Sequence, residues 1–252
     1  MHKMDLTGKV AIITGASSGI GAETAELFAS FGANLTLVGR DEARLLKTVN
    51  RCVATNCLVP LWLKLDLTHP GSCETVVNKT VELYERIDIL VNCAGKVVLT
   101  SPFGNSMEVF DDLININLRV PHYLSQLSMP YLEKTKGSII NVGSSMPKRP
   151  IPGLMSYTAT KAALQVFSTH VALAAASKGV RVNSVCPGRT TNDVFRNVEY
   201  DENIRTKLGQ VMPNGKTLDP KEVAILICMT ASNVFPNLTG SKLPLDGASA
   251  WA

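Results

Sequence analysis

Thr14-Gly15-Ala16-Ser17-Ser18-Gly19-Ile20-Gly21 follows a short apolar run, residues 10–14, and opens a stretch in which Ile20, Thr24, Leu27, Phe28 and Phe31 fall on one helical face. Gly32 closes that helix. A glycine-rich turn placed between a strand and a helix is a cradle for phosphate. Gly15 permits the tight turn, Gly19 lets the backbone approach a pyrophosphate, and Gly21 allows close packing. The helix N-terminus adds unpaired N–H groups and the positive end of a dipole. Ser17, Ser18 and Ile20 lie inside the cradle and are candidate contacts to the same ligand.

Outward from this turn, short β-branched runs alternate with longer amphipathic stretches, the pattern of a parallel sheet covered by helices on both faces. Strands are expected over residues 10–14, 35–39, 59–66, 89–92, 138–143, 180–186 and 243–246. Further helices are expected over 41–53, 72–86, 107–133, 155–177 and 220–231. Pro121 removes an amide donor and clashes with the preceding turn, so the fourth helix should kink just after Asn117. No linker, repeat or low-complexity segment interrupts the alternation, and residues 1–252 read as one domain.

Composition narrows the function classes. The net charge of +4 contains no run of five like charges, which argues against nucleic acid or an anionic membrane surface as partner. No stretch reaches the roughly 18 apolar residues of a membrane span, and the start of the chain lacks a signal-like apolar region. The cytoplasm is the expected location. Six cysteines show no CxxC pair and no Cys/His cluster at metal-ligand spacing, so free thiols and no metal are expected.

After the second expected strand comes Gly39-Arg40-Asp41. An NAD site usually places an acidic residue here to hold the ribose 2′-hydroxyl. A guanidinium instead suits a 2′-phosphate, which it can grip bidentately. NADP(H) is therefore favoured, with NAD(H) as the alternative; Arg40 as an ordinary solvated side chain and Asp41 as a helix cap is the plain structural reading.

Taken together these residues resemble the short-chain dehydrogenase/reductase family. The resemblance runs from Lys9 to about Gly247. It rests on the turn Thr14 to Gly21, on Asp66 in Leu65-Asp66-Leu67, on Asn92-Cys93-Ala94-Gly95 for the family's NNAG, and on Tyr157 and Lys161 for its YxxxK. It implies a single-domain doubly wound Rossmann α/β fold with a mainly parallel seven-stranded sheet. It also implies cofactor contacts from Asp66, Leu67, Asn92, Ala94, Gly95, Tyr157 and Lys161, and Ser144, Asn117, Tyr157 and Lys161 as the catalytic set. Cys93 departs from the pattern and should be tolerated. Ser144 is preferred to Ser145 by its thirteen-residue offset from Tyr157. Tyr157 and Lys161, four apart on one helix, share a face. The lysine charge, together with the positive charge of an oxidised nicotinamide, is expected to lower the phenol from its free value of ~10 so that Tyr157 can act as general acid and base. Ser144 would bind the substrate oxygen, and Asn117 is expected from the family to hold a water linking Lys161 to solvent.

The family's PG segment stands as Cys186-Pro187-Gly188-Arg189-Thr190-Thr191-Asn192, where the nicotinamide contact slips by one or two positions. Pro187, Gly188 and Thr190 are candidates, with Thr191 beside them. The family's DGG ending is DGA, Asp246-Gly247-Ala248, which should affect a turn. A substrate-covering lid is expected around 189–219. Val194, Phe195, Val198, Tyr200, Leu208, Val211 and Met212 there, with Met146, Ile151, Leu154 and Met155 near the tyrosine, suggest an apolar carbonyl or alcohol, steroid-, isoprenoid- or xenobiotic-like. Packing within the lid explains the same residues, and Lys148 and Arg149 leave an acyl-carrier substrate open. A homo-oligomer, tetramer or dimer, is implied through the two long helices. Ala162, Ala163, Val166, Phe167, Val171 and Leu173 could supply its face. Two function classes follow: a dinucleotide-dependent carbonyl reductase or alcohol dehydrogenase, and a cofactor-binding scaffold without turnover.

Overall fold

The computed structural model describes residues 4–56, 58–104, 107–191 and 212–249. Its centre is a seven-stranded sheet in the order β3-β2-β1-β4-β5-β6-β7 with every pairing parallel. The strands are β1 Val10–Thr14, β2 Asn34–Gly39, β3 Leu61–Lys64, β4 Ile89–Asn92, β5 Ser138–Val142, β6 Arg181–Pro187 and β7 Lys242–Leu245. The helices are α1 Gly19–Ser30, α2 Glu42–Asn56, α3 Ser72–Tyr84, α4 Met107–Ile114, α5 Val120–Thr135, α6 Met155–Ala175 and α7 Pro220–Ala231.

The sequence reads as it does because both faces of the sheet are covered. Along β1, Ala11 and Ile13 pack into one cluster with Phe28, Leu45 and Ile227, while Ile12 packs into the other with Val76, Leu124 and Ala172. Successive side chains of a strand point to opposite faces, so strands buried on both sides become continuous apolar runs. The edge strand β3 is shorter than the expected 59–66: it begins after Pro60, which carries no amide to donate, and Asp66 lies beyond it in a turn.

The expected break in the fourth helix is present, as a π-helical turn over Asn115–Arg119 between α4 and α5. Val120 N–H reaches back to Asn115 O, and the extra residue in the turn sets Pro121 into the first turn of α5, where its missing donor costs nothing. Arg181, 7 % exposed, holds α7 on the sheet. Its Nη1 donates to Thr230 O at 2.7 Å and its Nη2 to Ala231 O and Ser232 O at 2.9 Å, satisfying the last carbonyls of that helix.

The five described cysteines are free, and all but the half-buried Cys93 are buried. Among the described residues no helix is long and apolar enough to cross a membrane.

The family's DGG departure has a visible cost, because Ala248 sits at φ 69°, in the left-handed region, with its N–H on Asp246 Oδ1. An L-residue there is strained by about 1–2 kcal/mol. Ala248→Gly is expected to raise unfolding stability by about 0.5–1 kcal/mol, net of the entropy glycine adds to the unfolded chain, measured as the shift in urea midpoint at constant m-value.

Candidate active site

Because all seven strands run the same way, their carboxyl ends form one rim. The order reverses between β1 and β4, opening a crevice there. Every expected site residue in the described part of the chain falls on this rim or on the helices facing it. The glycine turn follows β1, Gly39 ends β2, Asp66 follows β3, Asn92 to Gly95 lie at the end of β4, Ser144 follows β5, and Pro187 to Thr190 follow β6.

The turn is shaped by close approaches that exclude side chains. A Cβ on Gly21 would lie 2.3 Å from Gly15 O, and one on Gly15 would lie 2.9 Å from Ala94 N and Cα. Gly15 itself holds φ 69°. Ser18 is the N-cap of α1, yet its side chain makes no capping bond, so the first turn of the helix keeps its N–H groups for a ligand. Thr14 Oγ1 accepts from both Cys93 N and Ala94 N at 3.0 Å, joining the end of β1 to the β4 turn. These bonds use the backbone of Cys93, which is why a thiol can stand in for the family's asparagine side chain. Asn92 points inward instead, donating to Asn141 Oδ1 at 2.8 Å.

At the far end of the crevice Arg40 Nη1 lies 3.6 Å from Asp66 Oδ2. Burial opposes the Asp66 charge, but two bonds from Thr68 and the Arg40 guanidinium outweigh it and hold the carboxyl below its usual range. The Arg40 side chain is 69 % exposed, so this pair is worth at most about 1 kcal/mol and can yield to a better anion. A Cβ on Gly39 would lie 3.0 Å from the Ser17 side chain, so any larger residue at that strand end requires Ser17 to shift.

Under the crevice α6 brings Tyr157 and Lys161 to β5. The Ser144 hydroxyl hydrogen-bonds the Tyr157 phenol, and Ser144 Oγ accepts from Met146 N at 3.2 Å. Ser145 N–H instead donates to Pro187 O, at the end of β6. Lys161 is 5 % exposed, donates to Val142 O at 2.8 Å, and stands 5.9 Å from the Tyr157 ring centre. The expected lowering of the phenol by this lysine is not what the chain's own groups produce. Burial pushes Tyr157 up to about 12, offset only in part by the Ser144 bond, and burial pushes Lys161 down to about 8. Neither charged form is favoured in so dry a site.

Asn117 is fully buried on the π-helical turn. Its Oδ1 accepts from Lys96 N and its Nδ2 donates to Lys96 O, both at 2.9 Å, and to Thr160 Oγ1 at 3.2 Å. The space beside Gly95 is bounded by Asn117 Oδ1 and Lys161 Nζ together. Thr160 and Gln165, neither singled out in the sequence, and Thr14, which stood there only as the start of the turn, thus take part in the site. Their signal was faint, since each is a small or polar residue on an otherwise expected element.

Of the PG segment, Gly188 packs on Asp246 and Thr190 Oγ1 donates to Gly188 O at 3.2 Å. Thr190 pairs with Leu218. Positions 192–211 of the expected lid, including Val194, Phe195, Val198, Tyr200, Leu208 and Val211, lie outside the described residues. Met212 is described, and it packs into the core at 4 % exposure.

A family model described as short chain dehydrogenase matches residues 9–203. The chain belongs to the short-chain dehydrogenase family. It is 33 % identical to a 2,5-dichloro-2,5-cyclohexadiene-1,4-diol dehydrogenase of Sphingobium indicum, covering 96 % of each chain. It is 34 % identical to a 3-oxoacyl-acyl-carrier-protein reductase of Thermotoga maritima, covering 97 % of this chain and 98 % of that one. A crystal structure of a short-chain dehydrogenase/reductase from Mycobacterium marinum overlays with TM-score 0.90 at 26 % identity, covering 99 % and 98 % of the two chains. Another from Caenorhabditis elegans, solved with cofactor, gives 0.87 at 28 %, covering 97 % and 96 %. As a short-chain dehydrogenase the chain is an oxidoreductase, and the family's cofactor is a nicotinamide dinucleotide. The glycine cradle, in which Gly15 and Gly21 leave no room for a Cβ, fits that group.

Proposed function

We propose that this chain is an NADP(H)-dependent oxidoreductase that interconverts a carbonyl and a secondary alcohol on an apolar small molecule. The observation that carries the reading is the bonded pair of Ser144 hydroxyl and Tyr157 phenol beside Lys161, at the rim of the sheet next to the glycine cradle. Gly15, Ser17, Ser18, Gly19, Ile20 and Gly21 would hold the pyrophosphate, and Asp66 and Leu67 the adenosine. Asn92, Ala94, Gly95, Pro187, Gly188 and Thr190 would line the path to the nicotinamide. When bound there, the nicotinamide would supply the hydride donor for reduction or the hydride acceptor for oxidation.

The remaining work belongs to the chain. Ser144 Oγ donates a hydrogen bond to the substrate oxygen and stabilises the charge that develops on it. Tyr157 gives its phenolic proton to that oxygen in reduction and accepts one in oxidation, with Lys161 as the neighbouring cation that stabilises the phenolate so formed. A phenol that burial holds protonated is suited to reduction at neutral pH. Asn117 fixes the turn carrying Gly95 and Lys96 and borders the lysine through which the proton is replaced.

Met146 and Ile151, both partly exposed on the segment between Ser144 and Tyr157, support an apolar substrate. Residues 189–219 are proposed as the covering lid. Val166 and Leu173, 52 % and 80 % exposed on α6, support a homo-oligomer through α5 and α6, a dimer or tetramer.

The cofactor preference is carried by Arg40. Fluorescence titration is expected to show NADPH binding at least about tenfold tighter than NADH, and Arg40→Ala is expected to remove most of that difference while leaving NADH unchanged. Turnover of a panel of apolar ketones and aldehydes, followed by the absorbance of reduced nicotinamide, tests the reaction. Equal binding of the two cofactors by the wild type overturns the NADP(H) assignment, and binding without turnover of any carbonyl or alcohol favours the scaffold reading.

A further inference from the structure

Three polar side chains of α6, Tyr157, Lys161 and Gln165, follow one another at intervals of four, and so form a single stripe along the helix. All three reach the same short piece of chain, the end of β5. Tyr157 meets the Ser144 hydroxyl, Lys161 Nζ meets Val142 O at 2.8 Å, and Gln165 Nε2 donates to Ser144 O at 2.6 Å. Ser168 continues the stripe one turn further on, where its Oγ accepts from Asn141 Nδ2 at 2.8 Å.

Gln165 is 8 % exposed. An amide taken into an apolar interior costs free energy unless it is bonded, and a long flexible side chain loses its rotamer freedom as well. Packing alone would be served as well by leucine or methionine. What the amide does is specific: β5 ends at Val142, and at Ser144 the main chain is held by side chains. Its N–H goes to Cys186 Sγ and its C=O to Gln165. Gly143 closes the arrangement, since a Cβ there would lie 3.0 Å from Cys186 Sγ and 3.3 Å from Gln165 Nε2.

We infer that Gln165 is a positioning residue that, through the Ser144 carbonyl, sets the Ser144 hydroxyl against the Tyr157 phenol for the reaction proposed above. With the carbonyl fixed, rotation of the Ser144 peptide is fixed. Ser144 Oγ then keeps both its contact from Met146 N and its place on the phenol. The inference rests on the proposed reading of Ser144 and Tyr157, and it adds a residue that touches neither substrate nor cofactor.

Gln165→Met keeps length and volume and removes the donor. It is expected to lower kcat ten- to a hundredfold, the effect of a misplacement of about 1 Å, with cofactor Kd within about twofold of wild type by fluorescence. The Ser144 bond draws the phenol down, so the tyrosine limb of the kcat–pH profile should also move to higher pH, in the direction seen in Ser144→Ala. A purely structural glutamine would lower the melting temperature without moving that limb. Gln165→Glu supplies the second arm. Its protonated carboxyl can donate to Ser144 O and its carboxylate cannot, so its kcat should approach wild type at low pH and fall as pH rises through a new ionisation. Should Gln165→Met fail to fold, this arm decides. Wild-type kcat and wild-type pH profiles in the Gln165 variants, alongside loss of turnover in Tyr157→Phe and Ser144→Ala, overturn the inference and leave the reading of the site standing. Wild-type turnover in Tyr157→Phe or Ser144→Ala overturns the reading of the site, and the inference with it.

Discussion

Tyr157→Phe is expected to lower kcat for carbonyl reduction by about a thousandfold, within the range a positioned general acid contributes, while cofactor Kd changes by no more than about twofold. The substitution removes one oxygen from a half-buried ring, so the fold has no reason to change. The pH dependence has a definite sign. Reduction needs the phenol protonated, and burial pushes Tyr157 up to about 12, so reduction should hold steady through neutral pH and fall only in strong alkali. Oxidation needs the phenolate and should rise with pH over the same span. Lys161→Met removes the neighbouring cation and should depress oxidation more than reduction, since it is the phenolate that the charge supports. Steady-state kcat in both directions across pH checks all three statements. Turnover in Tyr157→Phe equal to wild type would remove Tyr157 from the chemistry.

Gly21→Ala is the second large effect. The added methyl would sit 2.3 Å from Gly15 O, and that oxygen is backbone in a turn pinned against Ala94, with no flexible end to move aside. Accommodating it means opening the cradle. Overpacking of this kind costs about 1–3 kcal/mol in stability. Because the displaced atoms are those that would hold the pyrophosphate, cofactor affinity should fall by about a hundredfold as well. Gly71→Ala is the control: Gly71 holds a positive φ of 81°, which Gly21 does not, and nothing lies within 4 Å of its Cβ. It should cost stability alone. Cofactor titration and denaturant unfolding of the two variants separate crowding of the cradle from backbone strain, and equal cofactor affinity in Gly21→Ala and wild type would show that the cradle is not the binding site.

The two cases differ in how far they were visible before folding. Gly21 was readable as a cradle glycine because a strand-to-helix turn for an anion places its glycines at fixed local offsets. Tyr157 and Lys161 share a face by helical geometry alone. The state of the tyrosine was not readable. Lys161 and an oxidised nicotinamide together suggested a lowered phenol, whereas the chain's own groups by themselves raise it, because desolvation depends on how much protein surrounds the group, and that protein comes from β5, β6 and α6 at once. Asn117 shows a similar split. The proline four residues on in α5's first turn warned of a break, but that the break is a π-helical turn, and that the amide clasps the backbone of Lys96, needed the packing of α4 and α5 against α6.

By itself the sequence determined the parallel doubly wound sheet, the position of the glycine cradle, and the order of Ser144, Tyr157 and Lys161, since all of these follow from local periodicity, turn chemistry and spacing along the chain. Only the tertiary structure decided that Arg40 leans on Asp66, that Met212 belongs to the core, and that Gln165 holds the serine's carbonyl. Each of these is a meeting of segments between about 20 and 200 residues apart, and no spacing rule along a chain carries the direction in which a distant side chain points once two elements pack.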